Sequence, residues 1–268
     1  MDSPSVGDRT VVTTWAQRFL AAYRSSPTAF ATLGRFREDR AYERRVVRRG
    51  DDIVIEGYPR SGNTFSTTAF RQAQNRPVNI GNHFHAPAQI LLARRYRIPA
   101  LVCIRKPEDA ALSFMVFSNG RLSALDALER YLKFYSALLP AQEAWVPADF
   151  NEIVSSFDKS IARLNRWFGT DFELYRNSSS EDERVLLDIE EKFAQRQEYL
   201  QLTDPGFSQI ATPSRKKDAQ KTLYRAQFAA APVAGLIEEC DACYERVLDH
   251  PSATDAHPMP RPNSDLSS

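Results

Sequence analysis

Cysteine is scarce in this chain: three in 268 residues, Cys103, Cys240 and Cys243. That is too few for a disulfide framework and fits a reducing compartment. Cys240 and Cys243 form a lone Cys-x-x-Cys pair, with no second pair to complete a zinc site and no strand before it. Both are expected as buried packing on a helix rather than as redox groups. Net charge is nearly absent: Lys and Arg number 35 against 34 Asp and Glu. The molecule as a whole therefore carries no nucleic-acid signature, and any anion site has to come from local placement of Arg and Lys. No apolar stretch approaches ~18 uninterrupted residues, so no transmembrane helix is expected. The opening MDSPSVGDRT lacks the basic flank and apolar run of a signal peptide. A cytoplasmic protein is the expectation. The chain also lacks internal repeats.

What is present suffices for a core, since 43% of the residues are hydrophobic. No linker divides the middle of the chain. The expected organisation is a helical and basic extension over 1–50, one domain over 51–250, and a disordered Pro-, Ser- and Asp-rich tail over 251–268. In the extension, Val11 to Leu33 sets Trp15, Phe19, Leu20 and Tyr23 on one helical face. Arg35 to Arg49 holds seven arginines against Glu38, Asp39 and Glu43 and reads as solvated surface.

Two short apolar runs, Asp52-Ile-Val-Ile-Glu-Gly57 and Ala100-Leu-Val-Cys-Ile104, read as buried strands. Helical patterns cover Thr64 to Gln74, Ala86 to Arg95, Ser123 to Leu139, Ser155 to Phe168, Glu181 to Leu200 and Val233 to Leu248; Pro107 with Glu108 and Asp109 starts another. Strands alternating with helices predict an α/β domain with a central, mainly parallel sheet flanked by helices.

The loop Gly57-Tyr-Pro-Arg-Ser-Gly62-Asn63-Thr64 follows a strand and opens a helix, the context in which backbone N–H groups cradle phosphates. Its spacing is that of the ATPase loop G-x-x-x-x-G-K-[ST], but Asn63 stands where the lysine belongs and the cation sits upstream at Arg60. The second apolar run ends in Arg105, where such an ATPase has a magnesium-binding Asp. An arginine there cannot hold magnesium and can hold another phosphate. An ATP-using phosphate-loop kinase predicts both missing groups. A non-catalytic nucleotide-binding protein would need only the loop.

The segment Tyr58-Pro-Arg-Ser-Gly-Asn-Thr-Phe65 resembles the P-K-S-G-T-T-W loop of the sulfotransferases that use 3'-phosphoadenosine-5'-phosphosulfate (PAPS). Ile104-Arg-Lys-Pro-Glu-Asp-Ala-Ala-Leu-Ser113 resembles that family's R-[ND]-P-x-D-x-x-x-S motif. The resemblance implies a P-loop nucleoside-triphosphatase-like sulfotransferase fold and PAPS as donor substrate, with no metal. It assigns Arg60, Ser61, Gly62, Asn63 and Thr64 to the 5'-phosphosulfate, Phe65 to the adenine, and Arg105 with Ser113 to the 3'-phosphate. The acceptor is expected to be a carbohydrate or small molecule. Departures are Arg60 for Lys, Asn63 for Thr and Phe65 for Trp.

Between the two motifs lies Asn82-His83-Phe84-His85-Ala86-Pro87, with two of the four histidines. A His-x-His pair fits a metal in principle, but no Cys or carboxylate cluster nearby in sequence adds ligands. In the family, K-x-H-x-P carries the catalytic base, and His85 with Pro87 resembles it, His83 taking the lysine's place. An imidazole titrating near ~6.5 suits removal of a hydroxyl proton. Arg215 and Lys216 resemble a late R-K-G segment that covers the 3'-phosphate, without its glycine; a solvated charge run is the other reading.

Overall fold

The computed structural model describes residues 23, 25–39, 44–199 and 215–253, the side chains of 196–199 and 215–218 excepted. The single helix expected from Val11 to Leu33 is broken where it is described. Ser26 is extended (φ −98°, ψ 111°) and its Oγ accepts from the Ala29 N–H. Helix α1 (Pro27–Leu33) starts only then, because Pro27 has no N–H with which to continue a helix backwards.

Both expected strands form, as β1 (Ile53–Gly57) and β3 (Ala100–Ile104). Two more were not legible in the sequence, β2 (Ile80–Asn82) and β4 (Val146–Asp149). All neighbours pair in parallel in the order β2-β1-β3-β4. Every residue of β1 and β3 is buried, as central parallel strands covered on both faces must be.

Alternation along the strands divides the core in two. Ile53, Ile55, Leu101, Cys103, Val146 and Ala148 face one side. There they meet α2 (Asn63–Ala73), α7 (Phe157–Phe168) and α8 (Ser179–Tyr199). Val54, Ala100, Val102 and Ile104 face the other, under α3 (Pro87–Tyr96), α4 (Pro107–Phe117), α5 (Ala124–Ser136) and α10 (Ala231–Leu248). A short helix α6 (Phe150–Ser155) leads off β4, and Ser156 (φ −160°, ψ 52°) separates it from α7. A further helix, α9 (Arg215–Arg225), lies beside α4, with Arg225 Nε 4.0 Å from a Glu108 oxygen.

The basic segment is used for attachment. Arg45 bridges Asn82 through its backbone, blunting the outer edge of β2. Arg45 pairs with Asp51 at 2.6 Å, Arg48 with Glu38 at 2.7 Å, and Arg49 lies over the Tyr96 ring. Cys240 and Cys243 are buried free thiols on α10, and Cys240 is pushed up to about 12 by burial. No described helix is long and apolar enough to cross a membrane.

Candidate functional site

The chain leaves β1 to reach β2 on one side, then crosses back to place β3 on the other. This reversal opens a crevice beyond the C-terminal ends of β1 and β3, where ligands of open parallel sheets bind. Gly57 and Cys103 are register partners, so the loop after β1 and the turn after β3 emerge together. Arg60 and Arg105, 45 residues apart in sequence, become neighbours for this reason.

The loop is held from within. A Cβ on Gly57 would lie 2.2 Å from the Cys103 carbonyl oxygen, so only glycine allows the strands to approach here. Asn63 turns inward, and its Nδ2 donates to the Tyr58 carbonyl at 2.9 Å. It therefore braces the loop in the place where an ATPase lysine would project outward. Gly62 caps α2 in the left-handed region (φ 96°). The first helical bond is Ser66 N–H to Gly62 O at 2.9 Å, leaving the N–H groups of Asn63, Thr64 and Phe65 at the helix mouth, where they favour an anion.

Two tyrosines of α5 set the height of both segments. The Tyr135 hydroxyl donates to the Cys103 carbonyl (2.7 Å), accepts from the Tyr58 N–H (3.3 Å) and meets Ser61 Oγ at 3.3 Å. The Tyr131 hydroxyl donates to the Arg105 carbonyl at 2.8 Å. Ser61 is fully buried, so its side chain belongs to this brace.

Above the brace lie two cations. Arg60 Nε donates to Ser113 Oγ at 3.2 Å, and its guanidinium sits over the Phe117 ring. Arg105 Nη1 reaches the Arg60 carbonyl at 3.5 Å, and its guanidinium is 4.1 Å from the Phe150 ring centre. Ser113, expected beside Arg105, is thus engaged by Arg60. Among the described residues neither guanidinium has a carboxylate within ion-pair distance. Burial, aided by the Arg105 charge, pushes Arg60 down to about 10. Burial also lowers Arg105, against the opposing pull of Asp109 and Asp149. Two desolvated cations side by side repel each other, and an anion between them removes that cost.

The histidine turn closes the other side of β1. His85 Nδ1 is 2.8 Å from the Gly57 carbonyl oxygen, which can only accept, so Nδ1 carries a proton and, in the neutral ring, Nε2 the lone pair. Phe84 N–H and His85 N–H both donate to the buried Glu56 carboxylate, at 2.6 and 3.0 Å. The His83 ring lies edge-on to His85, centroids 6.1 Å apart. Five described non-glycine residues have positive φ: Arg60, His83, His85, Arg97 and Asn119. Arg97 closes a helix and Asn119 follows one. The other three are the candidate loop cation and both histidines, and strained backbone gathered in this way is a mark of functional sites.

The remaining expected residues are placed less closely. Phe65, half-buried at the start of α2, meets Tyr175 edge-on at 6.2 Å. Arg215 and Lys216 open α9, but their side chains lie outside the described residues. Among the described residues no group of three or more His, Cys, Asp or Glu is gathered for a metal. Sequence reading missed Glu56, Tyr131, Tyr135, Phe117 and Phe150. A charged residue inside the apolar run Ile53-Val-Ile-Glu-Gly was the available signal for Glu56. Compared with known proteins, no family model, no curated protein and no solved structure matches the chain.

Proposed function

We propose that the chain is a sulfotransferase with a P-loop-like fold, moving the sulfuryl group of PAPS to a hydroxyl of a carbohydrate or small-molecule acceptor. The observation that carries this reading is the pair of desolvated guanidiniums, Arg60 and Arg105, joined through the Arg60 carbonyl and without a carboxylate partner among the described residues. A nucleotide with phosphate at both ends of its ribose supplies the missing negative charge twice. ATP would leave part of this donor set unpaired, at about 1–3 kcal/mol per buried group.

In this reading the mouth of α2 holds the 5'-phosphate through backbone N–H groups, and Arg105 holds the 3'-phosphate. Arg60 balances the charge that grows on the bridging oxygen as the S–O bond to the 5'-phosphate breaks. His85 Nε2 takes the acceptor proton while the acceptor oxygen bonds to sulfur, its tautomer fixed by the Gly57 carbonyl. Adenosine 3',5'-bisphosphate departs with the electrons of the broken bond.

The test is transfer of radiolabelled sulfate from PAPS to a panel of hydroxylated acceptors, by the natural chain and by His85→Ala. The variant is expected to lose turnover at least about 100-fold, the scale of a general base, and to bind the bisphosphate within about twofold. Loss of turnover and binding together would make His85 a structural residue.

A further inference from the structure

Glu56 is the residue near this site that the phosphate-loop reading leaves unused. It stands fourth in β1, in an otherwise apolar strand, and its side chain is wholly buried. Its neighbour two positions back, Val54, packs in the core on the α3 side of the sheet, so a carboxylate occupies what alternation makes a core position. Burying a charge there is unfavourable unless it is hydrogen-bonded and matched by a cation. The hydrogen bonds are backbone N–H groups: Phe84 to Oε1 at 2.6 Å, His85 to Oε2 at 3.0 Å and Gly57 to Oε2 at 3.4 Å. Oε2 also lies 3.8 Å from His85 Nδ1, so protonation of His85 sets a cation beside the carboxylate.

We infer that Glu56 is a positioning residue for His85. It pins the strained turn that presents the ring, and its charge steadies the imidazolium formed when Nε2 accepts a proton. Two features set it apart from a simple turn clamp. The carboxylate reaches from the strand beneath rather than from the turn itself. It also takes the Gly57 N–H at 3.4 Å, and the Gly57 carbonyl, in the phosphate loop, meets His85 Nδ1 at 2.8 Å. One residue thereby fixes the base relative to the loop that holds the donor. Of the other titratable groups here, the Cys103 thiol on β3 is pushed up to about 12 and the Tyr135 phenol on α5 well above its usual value. Neither changes charge between pH 5 and 9; among the described residues His83 lies edge-on to His85 and the Arg44 guanidinium sits over the Phe84 ring.

The inference rests on the sulfotransferase reading for its catalytic meaning, and the experiment separates the two. Glu56→Gln removes the charge at nearly constant shape. In a sulfotransferase assay its kcat should fall at least about tenfold with the KM for PAPS within about twofold, and the acid limb of its pH profile should move to lower pH. In a His85→Ala background the same change should cost less than about twofold, because Glu56 acts through the ring. An additive loss, or an unmoved profile with a raised KM, overturns the inference and leaves the sulfotransferase reading intact. If no transfer is detected, ¹⁵N spectra still decide the coupling. Wild-type His85 should show the Nδ1–H tautomer at neutral pH and titrate at lower pH in Glu56→Gln. The Nε2–H tautomer in the wild-type protein overturns the inference even if the variant fails to fold.

Discussion

Consider replacement of Arg60 by methionine, which keeps much of the side chain's length and removes its charge. In the folded chain the guanidinium is pushed down from its ordinary value to about 10 by burial and by Arg105. For a basic group a lowered pKa means the charged form is disfavoured by the fold, so the cost is present at every pH below about 10. At ~1.4 kcal/mol per tenfold change, that cost is about 3 kcal/mol before solvent screening. Methionine removes it but loses the 3.2 Å hydrogen bond to Ser113, worth about 1 kcal/mol. The net expectation is a gain of about 1–2 kcal/mol, or roughly 3–6 °C in Tm for a domain of this size. The same change deletes charge-assisted bonds to a phosphate worth about 1.5–3 kcal/mol, so affinity for adenosine 3',5'-bisphosphate should fall about 10- to 150-fold. Thermal unfolding without ligand and calorimetric titration with it measure the two effects. A variant that is both less stable and unchanged in affinity would refute the view that Arg60 is a cation held in reserve for an anion.

Two further outcomes follow from the surroundings. Tyr135→Phe strips the Cys103 carbonyl and the Tyr58 N–H of their shared partner; denaturant unfolding should show a loss of about 2–4 kcal/mol, with weaker bisphosphate binding as the loop loosens. His250 is buried against Trp145, with Nε2 on the Gln142 carbonyl and Nδ1 accepting from the Ser252 N–H. Burial, reinforced by Arg163, lowers its pKa below 6.5. The unfolded chain then takes up a proton before the folded one does, so stability is full above pH 6.5 and declines below it. Urea midpoints between pH 7.5 and 5 should fall less steeply in His250→Asn.

The parallel sheet was legible because β1 and β3 are buried on both faces and therefore read as unbroken apolar runs. β2 is three residues around Gly81, and β4 contains Pro147. Both are edge strands, where a proline is tolerated because one row of backbone groups needs no partner. Their composition gave no strand signal. The strand–turn–helix setting of Gly57 to Thr64 was legible from spacing. The meeting of Arg60 with Ser113 was not, because it depends on where packing against α5 and α9 sets α4. Nor was the inward turn of Asn63, which follows from the Tyr58 carbonyl it satisfies. Glu56 was visible as an anomaly in β1, yet its purpose appears only when the chain returns 28 residues later with Phe84.

The most direct test is calorimetric titration of the natural chain with adenosine 3',5'-bisphosphate and, separately, with ATP and magnesium. Paired phosphates facing Arg60 and Arg105 should make the bisphosphate at least about 30-fold tighter, the effect of roughly 2 kcal/mol of satisfied charge. Equal affinity, or preference for ATP with magnesium, would contradict the account.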